Sequence, residues 1–167
     1  MIKKHFYNWT DVENMCVQIV TDMYTSGYQP DYIVGITRGG NVPATIISNM
    51  TGIPCEALKV SLRDDNRSST GITGSRWDLS LRKKILIVDD INDTGATFNW
   101  IKKDWESGCY PDNESWNTVW GETVKFAVLT ENLASEFDHT NFYAHEINKA
   151  EDDVWLVYPW EAVGKYE

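Results

Sequence analysis

Cysteine is scarce in this 167-residue chain: Cys16, Cys55 and Cys109 are far apart and odd in number. They build neither a disulfide framework nor a zinc spacing, so a reducing cytoplasm is the expected compartment. Positive charge is also short, with 15 Lys and Arg against 25 Asp and Glu and a formal net charge of -10. Affinity for nucleic acid comes chiefly from Lys and Arg neutralising phosphates, so no nucleic-acid partner is expected. A small anion stays possible where helix N-termini, a metal ion or a few arginines make one positive pocket. No apolar run reaches the length of a membrane span, and none follows Lys3 and Lys4 as a signal peptide would require. His5, His139 and His145 show no metal-ligand spacing. Neither GxxxxGK[ST] nor GxGxxG occurs, which removes the main support for nucleotide-triphosphate and dinucleotide readings.

What is present is an ordinary globular composition, 42% hydrophobic and 24% charged, with an unusual eight tryptophans and eight tyrosines. Those rings can supply core volume, an interface, or stacking surfaces for a flat ligand. The length fits one domain, and no repeat, low-complexity tract or linker divides it.

Along the chain, Thr10 and Glu13 have capping-box spacing ahead of Val12, Cys16, Ile19, Val20 and Met23, which predicts a helix stopped by Gly27. Tyr32–Ile36 reads as a buried strand ending at Thr37-Arg38-Gly39-Gly40, followed by a helix from near Asn41 to Met50. Pro54–Ser61, Lys84–Asp90, Val124–Thr130 and Phe142–His145 read as further strands, and Gly95–Ser107 as an amphipathic helix. Arg63–Ser80 is a long polar loop, of the kind that is usually functional. Cys109–Gly121 reads as an insertion. Core or subunit contact is the default for Trp100, Trp105, Trp116 and Trp120 around it. Arg82, Lys83 and Lys84 read as a solvated turn. Apolar strands alternating with helices predict an α/β domain with a mostly parallel central sheet covered on both faces.

The segment that carries chemistry is Ile85–Thr97, ILIVDDINDTGAT. In open α/β sheets ligands sit at the carboxyl ends of strands, near helix N-termini. Asp89 and Asp90 arrive where the strand ends, and adjacent carboxylates there suit neighbouring sugar hydroxyls and Mg²⁺. Asp93-Thr94-Gly95-Ala96-Thr97 then turns into a helix, where small residues let backbone amides close around a phosphate. A lone Asp-Asp or Thr-Gly would mean no more than a capping turn. Thirteen contiguous residues with the strand attached mean more.

ILIVDDINDTGAT resembles the phosphoribosyl-pyrophosphate (PRPP) signature of the type I phosphoribosyltransferases. Ile33–Pro43, IVGITRGGNVP, resembles the pyrophosphate loop of the short bacterial xanthine-guanine branch, and Glu151–Trp160, EDDVWLVYPW, resembles its base-binding hood. The resemblance implies that branch's fold, with a core over about 1–148 and a small hood over about 149–167. It implies an enzyme that transfers phosphoribose from PRPP to a nucleobase, with Mg²⁺, as a homodimer or homotetramer. Asp89 and Asp90 would hold the ribose hydroxyls, with Asp90 also near the metal, and Asp93, Thr94, Gly95, Ala96 and Thr97 the 5′-phosphate. Asp93 would also face the purine N7 as proton acceptor or donor. Thr37, Arg38 and Gly39 would bind pyrophosphate, with Arg67 closing over it; Arg63 and Arg76 in the same loop are its competitors. Trp155 would stack on the base and the backbone of Leu156 would read its edge.

The chain departs from the pattern at one position. The 6-oxopurine enzymes carry a lysine at the end of the strand after the PRPP helix, and here that place falls on Thr130 or Glu131. An ionised Glu131 cannot donate to a carbonyl oxygen. A 6-oxopurine (guanine, xanthine or hypoxanthine) is the leading expectation, with Thr130 against it; a pyrimidine or other base, or a PRPP-binding regulator without turnover, are the alternatives.

Overall fold

The computed structural model describes residues 2–60, 83–108 and 116–164. Five strands form one parallel sheet in the order β3-β2-β4-β5-β6: β2 (Tyr32–Thr37), β3 (Cys55–Lys59), β4 (Ile85–Asn92), β5 (Val124–Asn132) and β6 (Phe142–Ile147). Parallel strands are buried on both faces, and β4 shows how its sequence meets that demand. Leu86 and Val88 enter the apolar cluster on one face, while Ile85 and Ile87 enter the cluster on the other. The first face is covered by α1 (Trp9–Thr25) and α2 (Asn41–Thr51). The second is covered by α3 (Ala96–Gly108) and the short α4 (Trp116–Val119). Trp105 and Trp116 are buried there, with Trp100 and Trp120 packed beside them, so these rings are core.

A two-stranded parallel ribbon, β1 (Lys3–Phe6) with β7 (Val154–Val157), lies beside the main sheet. β7 alternates: Val154 and Leu156 are buried in the α1-side cluster, while Trp155 faces out. Tyr7, Tyr158 and Trp160 continue from the ribbon as stacked rings, 5.1 Å and then 4.7 Å between centroids.

Several expected boundaries shift for identifiable reasons. The capping box of α1 is Asn8 with Asp11, not Thr10 with Glu13: Asn8 Oδ1 accepts from the Asp11 amide at 2.7 Å, and Asp11 Oδ2 from the Asn8 amide at 2.8 Å. Asn is the stronger cap, and Asn8 has the extended backbone that a cap needs. β4 and β5 run past Asp90 and Thr130, because Ile91 pairs with Thr130 and Asn92 with Glu131 across the ladder. β1 was not expected at all. No described helix is long and apolar enough to cross a membrane.

The topology also opens the crevice. β2 is followed in sequence by β3 on one side of it and by β4 on the other, so the strand order reverses between β2 and β4. Ligands bind at such a switch point, beyond the carboxyl ends of the strands. The β2–β4 pairing stops at Gly35 with Val88, after which β2 stays with β3 and β4 stays with β5.

Candidate active site

Into that opening fold the two segments that follow the strands. Thr37-Arg38-Gly39-Gly40 turns from β2 into α2, with a cis peptide between Thr37 and Arg38. It passes so close to β4 that a Cβ on Gly39 would stand 2.2 Å from Asp90 Oδ2. A side chain on residue 39 would therefore have to displace the Asp90 carboxylate. Arg38 is exposed at the rim of the hollow between this turn and the chain at Trp160 and Glu161.

Asp89 and Asp90 stand at the floor. Asp89 Oδ1 accepts from the Asp90 amide at 2.8 Å and Asp90 Oδ1 from the Ile91 amide at 2.9 Å. Burial pushes both carboxyls above the ordinary range, and for Asp89 the charge of Asp90 adds to that rise. Glu161 is raised as well, by burial and then by Asp90. Among the described residues no basic side chain pairs with Asp89 or Asp90.

Asp93–Thr97 and the end of β4 line a cup of about 200 Å³ at the start of α3. The first amides of a helix lack intrahelical partners and suit an anion. Gly95 has φ +91°, and a Cβ on it would come 2.5 Å from the Phe137 amide. Both the left-handed backbone and the close approach demand glycine. Gly95→Ala should therefore destabilise the fold by about 2–4 kcal/mol, lowering Tm by roughly 5–15 °C. A thermal melt within 2 °C of the parent, to order of magnitude, would contradict that packing.

A third, narrower slot of about 120 Å³ runs between Asp90, Asp93, Lys149, Trp155 and Leu156. Trp155 is 54% exposed there although it is a large aromatic. Asp93 Oδ2 is 3.1 Å from Lys149 Nζ, and its backbone oxygen accepts from Asn132 Nδ2 at 2.8 Å.

Thus Asp89, Asp90, Asp93–Thr97, Arg38, Gly39, Trp155 and Leu156 lie around one crevice, with Thr37 just before it at the end of β2, and Asp90 borders all three hollows. Thr130, expected at the base, lines none of these three hollows. Thr130 is fully buried, its Oγ1 3.1 Å from the Tyr7 hydroxyl and 2.9 Å from that of Tyr158, whose hydroxyl donates to the Asp90 carbonyl at 2.9 Å. It ties the ribbon to the sheet. Glu131 is also buried, accepting from Asn92 Nδ2, and burial raises its carboxyl. Arg67, with Arg63 and Arg76, lies outside the described residues, as does the 109–115 part of the insertion. Lys149, Asn132 and Glu161 were missed: each stands outside the recognised motifs or at their edge, and only the folded chain brings it to the crevice.

Comparison with known proteins follows the same outline. The family model described as the phosphoribosyl transferase domain matches residues 4–158. Xanthine phosphoribosyltransferase 1 of Saccharomyces cerevisiae is 24% identical over 191 residues, spanning 96% of this chain and 90% of that protein. The hypoxanthine-guanine phosphoribosyltransferase of Schizosaccharomyces pombe is 24% identical over 184 residues, spanning 94% and 88%. In fold, the purine phosphoribosyltransferase of Pyrococcus horikoshii superposes over 99% of both chains with a TM-score of 0.67 at 20% identity. With the family model covering nearly the whole chain and the fold agreeing, this protein belongs to the phosphoribosyltransferase family.

Proposed function

We propose that the protein transfers the 5-phosphoribosyl group of PRPP to a 6-oxopurine base (guanine, xanthine or hypoxanthine) and releases pyrophosphate. The observation that carries this reading is the meeting of three hollows at Asp90. The substrates have the same form: a pyrophosphate, a 5′-phosphate and a base around one ribose ring.

Asp89 and Asp90 would accept from the ribose hydroxyls. The amides and hydroxyls from Asp93 to Thr97 would hold the 5′-phosphate, aided by the α3 dipole. Thr37, Arg38 and Gly39 would hold the pyrophosphate, and cationic or polar donors there favour the charge it carries away. Asp93 would take the proton that the base loses as its ring nitrogen attacks C1 of the ribose. Trp155 would cover the base face, excluding water from an oxocarbenium-like centre.

The carboxylates also fit Mg²⁺. Asp89 and Asp90 are hard oxygen donors, crowded, buried and without a basic partner among the described residues. Held by these carboxylates, the ion would supply positive charge to the departing pyrophosphate.

Pyrophosphate release, followed with PRPP, Mg²⁺ and a panel of bases, tests the reading. Release is expected with a 6-oxopurine. Silence with every base would sink transferase activity, and release with a pyrimidine alone would sink the purine assignment. Trp155→Ala should raise KM for the base by roughly 5- to 150-fold, the worth of one base–aromatic stack, with KM for PRPP little changed. An unaltered base KM would remove Trp155 from the base site.

A further inference from the structure

The end of β5 leaves the base slot without a cation, since Thr130 turns under the ribbon and Glu131 towards Asn92. A cation reaches the slot from another element. Lys149, in the turn between β6 and β7, has its Nζ 3.1 Å from Asp93 Oδ2 and 5.9 Å from the centre of the Trp155 ring. Its side chain is only 19% exposed.

This is a held position rather than the chance reach of a surface lysine. Asn132, buried at the end of β5, accepts from the Lys149 amide through Oδ1 at 3.0 Å and donates to the Asp93 carbonyl through Nδ2 at 2.8 Å. The neighbouring Leu133 amide bonds the Ile147 carbonyl at 2.8 Å. One side chain therefore fixes the Lys149 turn and the Asp93 turn to each other.

We propose that Lys149 reads the base, its ammonium donating to an exocyclic carbonyl oxygen on a ring lying against Trp155. The inference rests on the transferase reading above. An ammonium has three donors and no acceptor. One is directed to Asp93, and among the described residues no other side chain takes the rest, which leaves them for a ligand. Lys149 and Asp93 thus offer a donor beside an acceptor. In a 6-oxopurine the carbonyl at C6 and a protonated N7 are neighbours on one edge, with the complementary order. An amino group at C6 would meet the ammonium donor to donor and leave both unpaired, the kind of mismatch that discriminates strongly. The same lysine closes one side of the slot, next to Trp155.

The test compares the parent protein with Lys149→Met, which keeps the chain length without the charge, and Lys149→Arg, which keeps the charge. Binding of inosine 5′-monophosphate is measured against purine riboside 5′-monophosphate, which lacks the 6-oxo group and the N1 proton that accompanies it, and kcat/KM is measured for hypoxanthine. The parent should prefer the oxo nucleotide by about tenfold or more. Lys149→Met should lose most of that preference and about 10²-fold in kcat/KM for hypoxanthine, mainly through KM for the base, with arginine restoring part of both. Equal weakening of both nucleotides, or no change, overturns the proposal, because a lysine that merely holds Asp93 cannot tell them apart. Melting temperatures verify that each variant is folded, and Lys149→Gln replaces the methionine variant if that one is not. Parent protein that discriminates the nucleotides through Lys149 yet releases no pyrophosphate with any base would sink the transferase reading and leave the base reading standing.

Discussion

Asp90→Asn is expected to lower kcat/KM by at least about 10²-fold while raising the thermal stability of the ligand-free protein at pH 8. The loss follows from the position of Asp90 at the junction of the three hollows, where substrate hydroxyls and a cation would meet it. The gain follows from electrostatics. Asp89 and Asp90 are neighbours in a poorly solvated floor, and both carboxyls are raised above an unfolded value near 3.9. A raised carboxyl contributes stability that is fully present below the unfolded value and is lost as pH rises through the folded one. At pH 8 the parent therefore carries a charge pair that the fold disfavours.

Asparagine keeps an Oδ1 that can accept from the Ile91 amide, as Asp90 does at 2.9 Å, and removes the charge. Relief of about 1–3 kcal/mol is expected, or roughly 2–12 °C in Tm. The difference between variant and parent should vanish near pH 4 and grow towards pH 8. Melting curves at both pH values read it directly. A variant less stable at pH 8, or a gap independent of pH, would refute the strained pair; unchanged turnover would remove Asp90 from the reaction.

Asp93→Asn should reduce kcat by roughly 10²–10⁴-fold, the usual worth of a placed acid or base, while PRPP affinity stays within about threefold. The separation is expected because two different parts of Asp93 have different jobs. Its backbone oxygen is anchored by Asn132 Nδ2 at 2.8 Å, which keeps the Asp93–Thr97 turn in shape whatever the side chain carries. Its carboxylate faces Lys149 and the base slot instead. Asparagine preserves the shape and the contact with a donor but cannot take a proton. Turnover against pH, together with calorimetric binding of PRPP, reads both parts. Undiminished kcat, or loss of PRPP binding in step with kcat, would deny Asp93 the proton-transfer role.

Most of the sheet was legible because its signals are local. YIVGI, ILIV and the run from Val124 are short apolar segments bounded by turns, and each became a strand close to its expected limits. The ILIVDDINDTGAT segment was equally legible, since strand, carboxylates, turn and helix start are contiguous. β1 was not, because Lys3-Lys4-His5-Phe6 is exposed throughout and has no apolar period to detect. It is a strand only because its backbone pairs with β7, some 150 residues later.

The sequence alone determined that a parallel α/β sheet presents two adjacent aspartates and a glycine turn at the carboxyl end of one strand, because every part of that device lies within one strand–turn–helix. It also determined, by the shortage of lysine and arginine, that any anion must be met by local features. Which side chains line the slot beside Trp155 was decided only by tertiary structure. Thr130 sits at the expected place in the chain but is turned under Tyr7 and Tyr158, while Lys149 arrives from the β6–β7 turn to stand against Asp93. Those orientations depend on hydrogen bonds between residues 28 to 123 positions apart, and no local pattern encodes a partner that only folding brings near.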